Sequence, residues 1–598
     1  MALAILISLT SVWEGAAPFD FVSLTATVIG GYPMAAEAFN AARNRRMTME
    51  LSMSIAVVAT LVIGQFFTGL VITFFVLFAE LVEDLTVTGG KNALKSLVSF
   101  LPRVATVRRN GSEEDIDVEE ITSGDTVIVK PGTRIPIDGT VIKGNSFVDE
   151  SSITGEPLPV EKFNGHTIYA GTVNQSGVLE VQTTSVGKMT AFGKIIQIIE
   201  EAEKSRAPIQ KTADKLAAYL VYFALSGAVI TFIITHNIVS AISALVVAGA
   251  CGVAAGTPLA ILAGIGRAAK EGIIVKGGIQ LEQLSEVDTV ILDKTGTLTL
   301  GKPKVVAVTS FDGVTEREVI LLAAAAEQHS EHPLARAILD ESRELNIAVP
   351  SYSDLTILPG RGLVCRSNGN EIFVGNELLL RENSVVIGPR VIDHLARRNN
   401  DGETSILVAK DRRVVGSIDI ADVLRPDAKE AVNDLKRRGL HVVLMSGDSS
   451  AATKAVGDSL SADEAFGGML PREKAERVRE LVAGGKRVAM AGDGINDAAA
   501  MARATVGIAM GAGTDVALES AGIILMTNSL TKIVEAIKIS RRCLRVIMFN
   551  FWGTILVDSV GIVLAFLAII NPLGAALVHV GSELAFILNS ARLFRNRS

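Results

Sequence analysis
Long apolar runs occur in three groups along this sequence, and no other feature restricts the possible folds so severely. A stretch of about 20 residues with almost no charge reads as a helix that crosses hydrocarbon. The first group is Phe21 to Asn40, which carries only Glu37, with Leu51 to Ala79, a hairpin of two helices turning near Gly64-Gln65. The second is Leu216 to Thr235 followed by Asn237 to Gly266, and the third is Val546 to Ile570 with Pro572 to Ala591, each interrupted by a single acid. The opening "MALAILISLTSVW" has no basic start and no small-residue cleavage site. It is read not as a signal peptide but as the end of a membrane helix that begins outside this chain. With 598 residues, 49% hydrophobic and 20% charged, the chain is too long for one core and is expected to join membrane spans to soluble domains.

Basic residues set the orientation, since they gather at the ends of spans that face the cytoplasm. Arg43, Arg45 and Arg46 precede the first hairpin, Lys91 and Arg103 follow it, Arg267 and Lys270 leave the second group, and Arg592, Arg595 and Arg597 end the chain. Both soluble blocks, roughly 100–205 and 270–540, are therefore expected inside the cell, with the protein a multi-pass component of the plasma membrane. Gly30-Gly31 is expected to bend the first span, letting "AARNRR" lie along the membrane surface. A net charge of −7 gives no sign of nucleic-acid binding. Cys251, Cys365 and Cys543 lie too far apart in sequence to suggest a disulfide scaffold or a zinc finger.

The first soluble block reads as short strands, "DTVIVKPG", "GTVIKG" and "GVLEVQTT", separated by Gly and Pro turns. The second alternates strands ("TVILD", "HVVLMSGD", "RVAMAGDG") with helix-like stretches such as "RPDAKEAVNDLKRRG", the pattern of a doubly wound parallel sheet. An insertion from Val305 to about Asp419 separates its first strand from the rest. In such a sheet ligands collect beyond the carboxyl ends of the strands, and three of those ends carry acids: Asp293, Asp448, and the pair Asp493 and Asp497. Grouped carboxylates suit Mg2+, a hard cation that keeps phosphate oxygens among its ligands. Asp293 could then be a nucleophile that accepts a phosphoryl group. Lys294, or better Lys474 in "LPREKAERV", could neutralise the transferred charge.

"DKTGTLT" at Asp293 to Thr299, with "SGD" and "GDGIND", resembles the P-type ATPases, and the resemblance covers nearly the whole chain. It implies an α-helical polytopic membrane domain, a cytoplasmic β-rich actuator domain, and an α/β phosphorylation domain like the haloacid dehalogenases (HAD-like) with an inserted α+β nucleotide-binding domain. The expected boundaries are 1–100, 206–272 and 541–598 for the membrane parts, 101–205 for the actuator, 273–304 and 421–540 for phosphorylation, and 305–420 for the nucleotide. By the same likeness ATP phosphorylates Asp293, Lys294, Lys474, Ser446, Gly447 and Asp448 line the site, and Thr295 joins Asp293, Asp493 and Asp497 around Mg2+. Ser446 stands where the family commonly has threonine. "SSITGEPLPVEK" resembles the actuator loop, in which Thr154, Gly155 and Glu156 serve dephosphorylation, Glu156 acting on the attacking water. "EQHSEHPLARAI" and "LPGRGLV" resemble the heavy-metal branch, which implies that Glu327, His332, Gly360 and Gly362 bind nucleotide.

The branch normally carries Cys-Pro-Cys where this chain has Gly249-Ala250-Cys251, so one thiol remains and the helix-breaking proline is absent. Ionisable groups within spans are functional candidates: here Asp558, and His579 with Glu583, four residues apart on one helix face. Carboxylate, imidazole and a single thiol favour a borderline divalent ion over Cu(I), which prefers paired sulfur. The expectation is ATP-driven export of a divalent metal ion, zinc first, by a monomer embedded in the lipid bilayer and supplied in the cytoplasm, with a metal donor a further partner. The rivals are a pump for Cu(I) or another monovalent cation, and a membrane-anchored phosphatase or regulatory pseudo-pump. Keeping both Asp293 and Glu156 argues against a dead scaffold.

Overall fold
The structure, a computed structural model, describes residues 1–10, 19–44, 48–98, 102–109, 111–151, 158–194, 196–197, 207–248, 251–311, 313–330, 332–350, 355–358, 361–367, 370–400, 402–493, 497–511 and 519–594. The chain divides into two units, Met1–Ser285 with Ala536–Ser598, and Glu286–Glu535.

Four of the described helices are long and apolar enough to cross a membrane: Phe66–Thr86, Pro208–Thr235, Thr531–Phe566 and Pro572–Phe594, the third of which begins in the second unit and continues into the first. Phe21–Gly30, Glu50–Val62 and Ile238–Val247 are shorter apolar helices. Where one span was expected from Phe21 to Asn40 there are two helices, Phe21–Gly30 and Tyr32–Arg43. Pro33 explains the break at the expected place, since it brings no N–H to the ladder in the first turn of the second helix. The hairpin that follows turns through Gly64, whose φ of +78° suits glycine, and its second helix runs to Val98, well past the expected Ala79. The run from Asn237 to Gly266 is also broken. Helix Ile238–Val247 ends at Ala248 in extended backbone (φ −89°, ψ 92°), residues 249–250 lie outside the described part, and a helix resumes over Cys251–Lys270. Around this break the spans pack closely, and a Cβ on Gly561 would lie 2.4 Å from the Val247 side chain. Met53, Ile72, Val76, Ala224, Leu245 and Ala575 belong to the shared apolar core.

The block after the hairpin is β-rich, as its alternating pattern predicts. One sheet runs in the order Ser112–Asp117, Val104–Arg109, Thr126–Val129, Leu179–Ser185, Asp138–Lys143, Thr167–Ile168, and a smaller one in the order Val160–Phe163, Asn145–Asp149, Val173–Asn174. Val107, Val127, Ile137, Val141, Leu179 and Val181 form part of its core. Asp138 joins distant turns there by accepting from the backbone N–H groups of Ala170 (2.7 Å) and Ala191 (2.6 Å).

The second unit contains a parallel sheet in the order Ile523–Leu525, Val506–Ala509, Val488–Gly492, Thr289–Asp293, His441–Met445, Glu464–Phe466. Its central strands are buried on both faces, which is why they read as continuous apolar runs. The insertion is a second, antiparallel sheet ordered Thr299–Ser310, Arg413–Leu424, Thr404–Lys410, Asn370–Gly375, Gly362–Ser367, Leu355–Leu358. Helices Glu316–Glu327 and Pro333–Glu344 cover a core that includes Val319, Ala323, Ile338, Val374 and Ile418. Strands Thr299–Ser310 and Arg413–Leu424 carry the chain into and out of this insertion, paired along most of their length. The exit strand is pinned from within: buried Asp419 accepts from Ser405 Oγ (2.5 Å), lies 3.1 Å from His394 Nε2 and pairs with Arg398 at 3.3 Å.

Candidate functional site
Strand Thr289–Asp293 lies between His441–Met445 and Val488–Gly492, in register with both. Asp293 pairs with Met445. The three strands therefore end at one level, and the residues that follow them, Lys294, Ser446 and Asp493, emerge side by side. This is how acids far apart in sequence reach one place. Buried Val290, Ile291 and Leu292 fix the depth of the strand, leaving Asp293 itself only 3% exposed.

A carboxylate buried so deeply needs a cation. Lys474, on helix Pro471–Ala483, supplies it: the buried ammonium donates to Asp293 Oδ1 and, at 2.9 Å, to Asp497 Oδ1. Lys294 instead forms an ion pair with Asp448. Of the two candidate lysines, the distant one in sequence holds Asp293 and the adjacent one holds Asp448, beyond the neighbouring strand end. Ser446 is buried and its Oγ accepts from the Asp448 backbone N–H at 3.1 Å, while Gly447 and Thr295 are exposed.

One ammonium among Asp293, Asp493 and Asp497 leaves the cluster with excess negative charge. Burial raises the Asp293 pKa from the usual carboxylate range to about 7; the charge of Asp497 adds to this and Lys474 opposes it. Burial raises Asp497 as well. Burial alone would lower Lys474, but its two carboxylate partners outweigh that and raise it. Between the ordinary carboxyl pKa of 3.8 and about 7 the folded Asp293 keeps a proton that the unfolded chain has lost. This group therefore costs stability as pH rises through that window.

Asp493 Oδ1 and Asp497 Oδ2 are buried without a hydrogen-bond partner among the described residues. Two such hard oxygens beside Asp293, in a cluster short of positive charge, fit Mg2+, which keeps several waters and needs only one or two carboxylates. Among the described residues no group of three or more His, Cys, Asp or Glu side chains is arranged to enclose a metal by itself. The Lys474 ammonium lies between Asp293 and Asp497. Gly296 is required here twice over: its φ is +73°, and a Cβ would meet Asp493 Oδ2 at 3.0 Å.

Sequence reasoning missed two residues that grip this loop. Asp422, at the end of the insertion's exit strand, accepts from Thr299 Oγ1 at 2.5 Å, and that hydroxyl in turn accepts from the Gly296 N–H at 3.1 Å. Arg425 donates from Nε to the Thr297 carbonyl (2.7 Å) and from Nη2 to the Gly296 carbonyl (2.9 Å). Burial lowers its pKa. The signal was present in "DVLRPDA", an acid and an arginine just before a helix, but it was read only as a helix start.

In the insertion, Glu327 ends its helix buried, with its pKa raised by burial and opposed by Ser330 and by the charge of nearby His332. Exposed His332 caps the next helix, its Nδ1 accepting from the Leu334 N–H at 3.3 Å. Gly362 pairs with Gly375, and with φ at +139° a Cβ there would meet the Val374 carbonyl at 2.2 Å. Strand pairing therefore already demands glycine at 362. Gly360 lies outside the described residues, as do Thr154, Gly155 and Glu156.

Within the spans Asp558, His579 and Glu583 are buried, at 2%, 4% and 3% exposure. The helix carrying Cys251 is described, but its side chain is not. Among the described residues, which leave out the Cys251 side chain, Asp558, His579 and Glu583 do not form a group of three that could hold a metal by itself. His579 hydrogen-bonds the Val247 backbone, at the end of the broken helix. A polar contact the sequence reading overlooked lies nearby. Buried Asn550 donates to Ser590 Oγ (2.9 Å), and Ser590 donates to the Gly256 carbonyl (2.8 Å), joining both C-terminal spans to the helix that begins at Cys251.

Residues 99–200 match the profile of the P-type ATPase actuator domain, and residues 287–505 that of haloacid dehalogenase-like hydrolases. A copper-exporting P-type ATPase of Bacillus subtilis (strain 168) is 35% identical over 590 residues, 94% of this chain and 73% of the relative. One from Staphylococcus aureus (strain bovine RF122 / ET3-1) is 36% identical over 542 residues, 89% of this chain and 67% of the relative. Among solved structures, a crystal structure of a zinc-transporting PIB-type ATPase superimposes with a TM-score of 0.64 at 31% identity, covering 99% of this chain and 98% of the other. A second crystal structure of a zinc-transporting PIB-type ATPase, in a different state, gives 0.60 at 30% identity, with the same coverage.

Two outcomes follow from the geometry. The rate of phosphoenzyme formation, measured by rapid quench at fixed Mg2+, should rise with pH as Asp293 ionises. In Lys474→Met the acid limb should move to higher pH, with the rate at neutral pH falling about tenfold or more, the factor that one pKa unit represents. An unmoved acid limb would contradict the pairing. Arg425→Ala should slow single-turnover phosphorylation about tenfold or more, the size expected when hydrogen bonds from a charged group are lost. Arg425→Lys should not rescue it, because an ammonium cannot reproduce the guanidinium fork; wild-type rates in the lysine variant would contradict this.

Proposed function
The chain belongs to the heavy-metal branch of the P-type ATPases, membrane pumps that use ATP and Mg2+ to move metal ions. From that premise we propose that its cargo is a divalent cation, zinc first, exported through an acyl phosphate on Asp293. An Asp293 carboxylate oxygen attacks the γ-phosphorus of ATP, the bond to the β-phosphate oxygen breaks, and ADP leaves. Lys474 holds the nucleophile in line and offsets charge on the transferred group. The loop grip of Asp422 and Arg425 keeps the Gly296 and Thr297 backbone in place around it. Mg2+, held by Asp493 and Asp497 with Thr295, would supply the remaining positive charge. Glu327, His332, Gly360 and Gly362 bind the nucleotide, and Glu156 in the Thr154-Gly155-Glu156 loop activates the water that hydrolyses the phosphoaspartate.

The cargo assignment is carried by one observation: Asp558, His579 and Glu583 are all buried on the two C-terminal spans, in a chain with Gly249-Ala250-Cys251 where paired sulfur would serve copper. Two carboxylates and an imidazole are ligands for a borderline divalent ion, and the solved structures it resembles are of zinc-transporting pumps. Cu(I) is the second reading, favoured by the names of the curated relatives.

ATPase activity of the full chain in lipid, measured with Zn(II), Co(II), Mn(II), Fe(II), Cd(II) and Cu(I) in turn, separates the two. Zn(II) is expected to stimulate most, and His579→Ala and Glu583→Gln each to lose that stimulation by about tenfold or more, as loss of a buried ligand implies. Stimulation by Cu(I) alone would overturn the divalent assignment.

A further inference from the structure
Asp427 occupies the N-cap position of helix Ala428–Arg437, where an aspartate ordinarily accepts from the first turn of its own helix. It makes no such bond. Its carboxylate turns to a different helix: Oδ2 accepts from Ser529 Oγ at 2.7 Å and from the backbone N–H groups of Leu530 (2.8 Å) and Thr531 (3.4 Å). Ser529 Oγ also lies 2.7 Å from Thr531 Oγ1. These are the open donors at the start of helix Thr531–Phe566, where an anion also meets the favourable end of the helix dipole.

That helix runs unbroken for 36 residues, about 54 Å at the standard rise and far longer than the hydrocarbon thickness of about 30 Å. Its first part, with Lys532, Glu535, Lys538, Arg541, Arg542 and Arg545, is charged; its second part is the apolar span that bears buried Asn550 and Asp558. The short stretch from Asp422 to Asp427 therefore touches two things. Asp422 and Arg425 hold the loop around Asp293, and Asp427 holds the head of a helix that continues as a membrane span.

We propose that Asp427 is a positioning residue for ion-coupled phosphorylation: by capping the helix that begins at Thr531, it ties the phosphorylation loop to a span that senses the transported ion. The inference rests on the reading above, in which Asp293 is phosphorylated and the ion is bound among the spans. Removing the cap should leave the chemistry at Asp293 intact and weaken its dependence on metal. An asparagine keeps an acceptor oxygen and should preserve the tie.

The test uses the full chain in lipid, with Asp427→Ala, Asp427→Asn and Ser529→Ala beside the wild type. Acyl phosphate is measured two ways: from [γ-32P]ATP over a titration of Zn(II) or Cu(I), and from inorganic [32P]phosphate without metal. In Asp427→Ala, labelling from inorganic phosphate is expected within about twofold of wild type. The metal concentration for half-maximal labelling from ATP should shift by about fivefold or more, the size that loss of a helix cap permits. Asp427→Asn should return it to near the wild-type value. Unchanged metal dependence in the alanine variant overturns the proposal, and so does parallel loss of labelling from both phosphate sources, which would make Asp427 a local structural residue only. Should the alanine variant fail to fold, Ser529→Ala decides: a smaller shift in the same direction supports the tie, and no shift refutes it. If the wild type is labelled by neither route, or neither metal affects it, the underlying reading falls, a result distinct from failure of the tie.

Discussion

The contact of Lys474 with Asp293 and Asp497 is the interaction on which the rest of this structure depends. A carboxylate at the end of a fully buried central strand would be untenable alone, and removing one partner of such a buried pair typically costs about 3–5 kcal/mol. The ammonium comes from a helix far along the chain, so Asp293 is held only when the parallel sheet has closed. The compensation is incomplete. Among the described residues Asp493 Oδ1 and Asp497 Oδ2 have no hydrogen-bond partner, and Asp293 is left with a pKa raised to about 7 by burial. An anionic site short of positive charge suits a divalent cation, and the fold tolerates the cost because the apolar strands around it are deeply buried.

The second constraint is the pair of strands Thr299–Ser310 and Arg413–Leu424. They are the two connections of the nucleotide-side sheet to the phosphorylation sheet, and the loop after Asp293 runs directly into the first of them. The buried anchoring of Asp419 by His394, Ser405 and Arg398 stiffens the second strand. Three residues further on, Asp422 reaches back to Thr299. The exit strand of the insertion and the residue that follows it are thereby joined to the backbone of Gly296 and Thr297, which Arg425 clamps.

Much of this was legible in the sequence because the informative patterns are short-range. Strand ends such as "TVILD" and "RVAMAGDG" announce themselves by buried apolar runs that stop at an acid, and the parallel register then brings the ends of the strands that precede Asp448 and Asp493 level with Asp293. Gly30-Gly31 marked the first break in the spans, with Pro33 completing it. What could not be read was the choice among long-range partners. Lys474 was already preferred to Lys294 as the partner of Asp293, but the pairing of Lys294 with Asp448 was not foreseen, because which lysine faces which carboxylate is decided by packing. The break after Val247 had no proline to announce it. The grip of Asp422 and Arg425 was invisible because each is an ordinary residue at a strand end or helix start until the fold supplies its partner. Gly362, expected by likeness to bind the nucleotide, has a further requirement the sequence did not show, its closeness to Gly375 and the Val374 carbonyl.

The central claim is that a phosphoryl group from ATP is carried on the buried carboxyl at 293. Incubating the purified full chain with [γ-32P]ATP and Mg2+, quenching in acid and locating the label by peptide mapping tests it most directly. A label stable in acid, released by hydroxylamine, mapped to Asp293 and absent from Asp293→Asn is the predicted result. Turnover that persists in Asp293→Asn, or a label on any other residue, would contradict it.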